Sequence, residues 1–434
     1  MSYIKKAHNF FLQTGTYFPR SIIWAMGLIK YAAAKTNLFL KLIDEKHADA
    51  IMKASLEIAE GKYDDKIKVD VFQTGSGTGL NMAINELIAE IASKDDLRIH
   101  PNDHVNLGQS SNDTVPTAIR MATIKEVNDK LLPAYSIFID KLKDLSKKTN
   151  DIIKPGRTHL RDALPITMGQ EFEAYINAFN NSFFYIKNTL EYISEVPLGG
   201  TAVGTGFNTH PEYPARAITI LAAISKLPIK PASNRFRAMR LLDDLLMLSG
   251  HLRNAALNLY RLCQDIRLMF SGPYTGLGEI EIPHDIPGSS MLPGKTNPVT
   301  AEAALLASSQ IVGLDHANQM AGMLGEFELS MGIPLIGYNI IAQITLLSEA
   351  MTKLAVNVIG KIRADKERCL ELANKSLALI TVISPIIGYE KATELANKIV
   401  TGLSIRDALR EIGYKDDEIN KLLDLEKMVK GGFV

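Results

Sequence analysis

The chain has 434 residues, enough for a large buried core and, at about 150 residues per domain, for two to four domains. Its 48 Lys and Arg balance 48 Asp and Glu, so no basic excess exists to attract nucleic acid or an anionic membrane surface. The two cysteines, Cys263 and Cys369, supply neither a disulfide framework nor an iron–sulfur ligand set, and no Cys-x-x-Cys or His-Glu-x-x-His spacing occurs, which predicts a protein without a metal.

The N-terminal "MSYIKKAHNFFLQTG" lacks the apolar core of a signal peptide and the arginines of a transit peptide, so a cytoplasmic location is expected. Loops rich in Gly, Asn, Thr and Pro are expected at about residues 73 to 79, 100 to 116, 197 to 211 and 271 to 298, between helical blocks. The clearest periodicity follows at Leu241, Leu245, Leu248, Leu252, Ala255, Leu259, Leu262 and Ile266, a heptad stripe. After it come an alanine-rich segment from Thr300 to about Leu324 and a second stripe at Ile340, Ile344, Leu347, Met351, Leu354 and Val358. Apolar runs such as "LALITVISPIIGY" fall short of the roughly 18 residues that cross a bilayer.

Strand-like alternation is scarce, so the expected fold class is all-α, with long helices that pack between subunits as well as within one. A first domain is placed at about residues 1 to 108, a central long-helix domain at about 109 to 364, and a small helical domain at about 365 to 434.

One stretch, "PGSSMLPGKTNP" at 287 to 298, contains Gly-Lys-Thr and invites a phosphate-loop reading. Gly288 is one position too far from Gly294 for that pattern, and the preceding "GLGEIEIPHDIPG" is too charged and proline-rich for a central strand. Three other segments share its small hydroxyls, amides and glycines: "TGSGTGLNMAINE", "HPNDHVNLGQSSNDTVPT" and "KPGRTHLRDALPITMGQE". Together they suit an anion site, because glycine lets backbone approach a ligand and hydroxyls with amides can hold carboxylate oxygens.

These segments resemble the class II fumarase and aspartase family, within the argininosuccinate lyase superfamily. "GSSMLPGKTNP" is similar to the superfamily's signature loop, "TGSGTGLNMAINE" and "QSSNDTVPTA" to its upstream active-site segments, and "GGTAVGTGFNTHPEY" to a glycine-rich stretch of fumarases. The resemblance implies a three-domain fold with a long-helix central bundle, a cofactor-free homotetramer whose core is a shared multi-helix bundle, and active sites built from loops of three subunits. It implies anti addition of water to fumarate to give L-malate, through a carbanion whose charge spreads onto a carboxylate.

On this resemblance Ser289 is the general base, Lys295 and Asn297 with Ser290 stabilise the charged carboxylate, His159 handles the water, and Glu302 orients His159. Ser76, Gly77, Thr78, Ser110, Ser111, Asn112 and Thr158 match positions that hold the substrate. His100, Pro101, Asn102 and Asp103 match a second anion site. From residue types alone, Ser289 is a turn cap, Glu302 an acid favoured by the helix dipole, and His100-Pro101 the start of an ordinary turn.

His159 and Gly294 favour water over ammonia as the added group, whereas Val299 is more like the aspartases, so an aspartate ammonia-lyase is the alternative. A catalytically retired helical scaffold is the non-enzymatic one. Arg161, Ile286 and Gly79 depart from the family pattern, and no Trp-Gly-x-Gln-Thr occurs.

Overall fold

Helical periodicity carries through to the architecture. In the computed structural model, which describes Tyr3, Ala7 and residues 9–283 and 288–432, the main elements are helices joined by short two-stranded ribbons. In chain order the helices are α1 (Arg20–Phe39), α2 (Glu45–Ala59), α3 (Thr78–Ala92), α4 (Ser111–Glu126), α5 (Leu132–Lys148), α6 (Met168–Ile193), α7 (Tyr213–Ser225), α8 (Arg235–Arg240), α9 (Asp243–Met269), α10 (Val299–Gly322) and α11 (Ile333–Asn357). A run of shorter helices follows, from α12 (Lys366–Lys375) through Leu379–Ile387, Tyr389–Val400, Ile405–Glu411 and Asp416–Leu422 to Leu425–Met428. Ile286 and Pro287, named above, lie outside the described residues.

Both heptad stripes are core seams. Leu245, Leu248, Leu252, Ala255, Leu259, Leu262 and Ile266 on α9 are fully buried, as are Ile340, Ile344, Leu347, Met351 and Leu354 on α11 and Val358 just beyond it. Leu241 departs from the expectation. It precedes α9 and is half exposed, while its neighbour Leu242, in a left-handed conformation, turns into the core instead. The polar segment from 100 to 116 is also shorter as a loop than expected, because α4 starts at Ser111 and carries Pro116 within it.

The chain divides into two compact units. The first comprises Met1–Tyr135, Asn181–Leu257 and Leu306–Glu349. Within it α1 is buried on nearly every side, as its apolar content requires, and packs on α2, α4 and α7. Gly27 permits the close crossing of α1 and α2, since a Cβ there would stand 2.8 Å from the Ser55 carbonyl oxygen. Arg120 of α4 and Asp244 of α9 form a bidentate ion pair with both side chains fully buried, Nε to Oδ2 at 2.7 Å and Nη2 to Oδ1 at 2.9 Å.

The second unit comprises Ser136–Asn180, Asn258–Leu305 and Ala350–Val434. Its distinctive element is an antiparallel hairpin, β1 (Ile153–Thr158) and β2 (Arg161–Thr167). The short C-terminal helices enclose a core of their own that includes Ala373, Leu379, Ile383, Leu395, Leu409 and Ile419.

Cys263 and Cys369 are buried, and burial pushes both thiols up to about 12, which makes them poor nucleophiles. Among the described residues no cluster of three or more His, Cys, Asp or Glu side chains is arranged to hold a metal ion. One helical stretch, Ile333–Lys361, is long and apolar enough by composition to cross a bilayer, but 61% of its most apolar window is buried inside the protein, as in a core helix.

Removing one partner of a buried ion pair strands the other charge away from water. Asp244→Ala is therefore expected to lower the unfolding free energy by about 3–5 kcal/mol in urea titrations followed by helical circular dichroism, and the double variant Arg120→Leu/Asp244→Leu by much less. A loss below about 1 kcal/mol in the single variant would show that Arg120 finds another partner.

Candidate active site

Three hydroxyls form a chain in the first unit. Ser76 Oγ lies 2.7 Å from Thr78 Oγ1, which lies 2.8 Å from Ser111 Oγ. Thr78 is the first residue of α3 and Ser111 the first of α4, so the positive dipole ends of two helices meet at this chain. Gly77 makes that meeting possible. Its φ is +74°, a left-handed value, and a Cβ on it would stand 2.8 Å from Val115 Cγ1.

Ser110 caps α4 in a reciprocal box: its Oγ accepts from the Asn112 N–H at 3.2 Å, and its own N–H donates to Asp113 Oδ1 at 3.0 Å. The other Asp113 oxygen accepts from the backbone N–H groups of Gly199 and Thr201, at 3.0 and 2.9 Å, tying in the glycine-rich segment. Burial raises the Asp113 carboxyl to about 6 despite these donors and the charge of Lys30. Asn112 Nδ2 donates to the Ala202 carbonyl at 2.8 Å. Beside Gly79, the space a side chain would need is filled by the Gln73 amide and the Phe11 ring.

The His100 to Asp103 segment forms a capped turn. His100 Nδ1 accepts from the Asp103 N–H at 3.0 Å, and the His100 N–H donates to His104 Nδ1, also at 3.0 Å. The His104 ring meets His47 edge-on at 4.6 Å, and burial together with the neighbouring His47 lowers its pKa.

His159 belongs to the second unit, where the sequence suggested only a polar loop. It sits with Leu160 in the two-residue turn between Thr158 and Arg161, at φ of +55° and +58°. Left-handed backbone costs a non-glycine residue of order 1 kcal/mol or more, so the hairpin must hold this tip in place. Its stem is well secured. A bulge at Gly156 lies against the Leu164 carbonyl, and the fully buried Glu279 carboxylate accepts from Arg157 Nη2 at 2.8 Å and forms an ion pair with Lys154 Nζ at 3.1 Å. Lys154 also pairs with Glu171. His159 lines a cavity of about 380 Å³ together with Lys154, Arg157, Arg261 and Asp265.

In the same unit Lys295, Thr296, Asn297 and Glu302 line a cavity of about 540 Å³, and Leu160 and Leu268 border both cavities. The loop is closed on itself: the Gly288 N–H donates to the Lys295 carbonyl at 3.0 Å, and Asn297 Nδ2 donates to the Gly288 carbonyl. Ser289 Oγ accepts two backbone N–H groups, from Met291 at 3.1 Å and Leu292 at 3.0 Å. That is a turn cap, and equally a pair of donors that favours the ionised hydroxyl. Ser290 and Lys295 are exposed. Glu302 occupies the first turn of α10, with its N–H on the Pro298 carbonyl at 3.0 Å. Within the chain its carboxylate faces Arg267 at 3.8 Å.

The candidate residues read from the sequence thus fall into two groups, the hydroxyl chain with Ser110 and Asn112 in the first unit, and Thr158, His159 and the Ser289 to Glu302 segment in the second. Arg267, Glu279 and Lys30 carry no local motif, and only their side-chain partners reveal them.

The chain matches a lyase family model over residues 3–313 and a fumarase C C-terminus model over residues 379–430. It is 60% identical to a class II fumarate hydratase of Saccharolobus solfataricus, over 100% of this chain and 99% of that one. A class II fumarate hydratase of Xylella fastidiosa is 40% identical over 96% of this chain and 89% of its own. Among solved structures, a class II fumarase from Schistosoma mansoni superposes with a TM-score of 0.94 at 33% identity, covering 98% of this chain and 94% of that one. A fumarate lyase:delta crystallin from Brucella melitensis, bound to cobalt, gives 0.92 at 36% identity, covering 98% and 95%.

Because Glu279 neutralises both Lys154 and Arg157, Glu279→Ala is expected to destabilise the fold by about 3–5 kcal/mol. Hydrogen exchange should localise the loosening to the amides of residues 153–167. Unchanged protection in that hairpin would show that its stem is held without the carboxylate.

Proposed function

We infer the reaction from one premise, that the chain belongs to the lyase family in its class II fumarate hydratase branch: it adds water to fumarate to give L-malate and reverses that addition. In the hydration direction His159 takes a proton from water, the oxygen bonds to one alkene carbon, and the electron pair moves through the other carbon onto its carboxylate. The doubly charged carboxylate that results is held by Lys295 and Asn297, with Ser290 beside them, where fixed donors lower the barrier most. The Ser289 hydroxyl then delivers its proton to that carbon from the opposite face, which gives anti addition. In dehydration the Ser289 oxyanion removes the same proton, and His159 protonates the departing hydroxyl.

The observation that carries this reading is the Ser289 oxygen resting on two backbone N–H donors. A serine hydroxyl is a poor base near neutral pH, and donors fixed on its oxygen are what its ionisation needs. The Ser76, Thr78 and Ser111 hydroxyls at two helix N-termini suit the carboxylates of the diacid, with Gly77, Ser110 and Asn112 beside them, and Thr158, next to His159, is a further substrate contact.

The site is shared among subunits of a homotetramer, in which Glu302 of one chain reaches His159 of another. Exposed apolar side chains on the long helices favour such an assembly, among them Tyr185, Tyr192, Leu257, Tyr260, Leu306 and Met320. The division near residues 108 and 364 belongs to the same reading, and the separate core of the C-terminal helices supports its second boundary. The turn from His100 to Asp103 serves as a second anion site, and the protein works in the cytoplasm.

Incubation with L-malate is expected to produce fumarate absorbance, and incubation with L-aspartate none. Product from aspartate alone would make the enzyme an ammonia-lyase, and product from neither would leave a scaffold. Ser289→Ala is expected to lower kcat by at least about a hundredfold with native mass unchanged, and near-normal turnover would remove Ser289 from the chemistry. His159→Gln should slow hydration by about 10²–10⁴-fold, and an unaffected rate would assign the water to another group.

A further inference from the structure

Lys30 lies midway along α1 in the stretch "GLIKYAAA" and is fully buried. Its ammonium donates to three side-chain amide oxygens: Asn81 Oδ1 at 2.7 Å, Asn106 Oδ1 at 3.0 Å and Gln109 Oε1 at 3.0 Å. Three protons meet three acceptors, an arrangement that only the charged form completes. Burial draws the group down to about 7, while the charge of Asp113 pulls it back up.

The acceptors come from both substrate-holding segments. Asn81 lies one turn along α3 from Thr78, and Gln109 directly precedes Ser110. Asn106 binds the two together, since its Oδ1 also accepts from Asn81 Nδ2 and Asn85 Nδ2 at 3.2 Å, and its Nδ2 donates to the Gln109 carbonyl at 3.1 Å. Thr114 Oγ1 adds a contact to Asn81 Oδ1 at 3.3 Å. A knot of amides could hold these segments without an ion, and burying an ammonium among neutral partners is a costly placement. Its charge points to a use, and the anionic substrate supplies one.

We propose that Lys30 is a positioning residue for dicarboxylate binding: its three hydrogen bonds fix the Ser76–Thr78 and Ser110–Ser111 segments at one spacing, and its buried charge favours the anion they receive. This rests on the fumarate hydration reading. Lys30 touches neither substrate nor reacting atoms, so its loss should appear in binding before turnover.

The test compares wild type, Lys30→Met and Gln109→Leu in steady-state assays with fumarate and L-malate, with succinate as a dicarboxylate that cannot react, alongside melting temperature and native mass. Lys30→Met is expected to raise KM for both substrates and the succinate inhibition constant by about tenfold or more, with a much smaller fall in kcat. Gln109→Leu, which removes one acceptor and keeps the charge, should shift the same constants by about threefold and carries the test if Lys30→Met does not assemble. KM and inhibition constants within about twofold of wild type in folded variants would overturn the proposal, even if melting temperature or kcat fell. If wild type turned over neither substrate, the hydration reading would fail by itself. Succinate affinity measured by calorimetry would then decide the role of Lys30, and equal affinity in wild type and variant would overturn it.

Discussion

Two helix N-termini meet at three hydroxyls, and much of the polar interior of the first unit serves to keep them there. An isolated serine or threonine binds a carboxylate weakly. Hydroxyls gathered at the positive ends of α3 and α4 meet an anion with donors in a favourable field. The left-handed Gly77, the capping box of Ser110 and Asp113, and the anchoring of Gly199 and Thr201 each remove freedom from that meeting point. Buried ionisable groups flank it on both sides, Asp113 below one helix start and Lys30 bonded to both segments.

The second unit solves a different problem. On the proposed reaction it carries the proton-transfer groups on exposed segments, which must be held well enough that acid and base do not wander. The hairpin stem is clamped through Lys154, Arg157 and Glu279, and the Ser289 loop is clamped through Gly288, Lys295 and Asn297, so each exposed tip has a fixed base. Glu302 stands 3.8 Å from Arg267 at the rim of the cavity that both line.

Much of this was legible in the sequence where the physics is local and periodic. Steps of three and four marked α9 and α11 because burial on a helix repeats with its turn, and the seams followed residue for residue except at Leu241, where a left-handed Leu242 shifts which side chain enters the core. The hydroxyl segments were legible because serine, threonine and glycine cluster densely in them. The hairpin was not, since Pro155, Gly156 and Pro165 read as loop and neither His159 nor Leu160 is a customary residue for a left-handed turn. Lys30 was equally hidden: a single lysine among apolar residues reads as a solvent-facing position, and only its amide partners, 51 to 79 residues away in the chain, give it another meaning. Long-range pairs such as Arg120 with Asp244 leave no mark in a single sequence for the same reason.

The hairpin tip also sets chemistry against conformational ease. Glycine or asparagine would sit at positions 159 and 160 with less conformational tension. On the proposed reaction, the imidazole occupies this left-handed position for its chemistry, at a conformational cost that the clamped stem offsets. A descendant released from that duty should betray itself first by softening at this tip, before any change in its helical core.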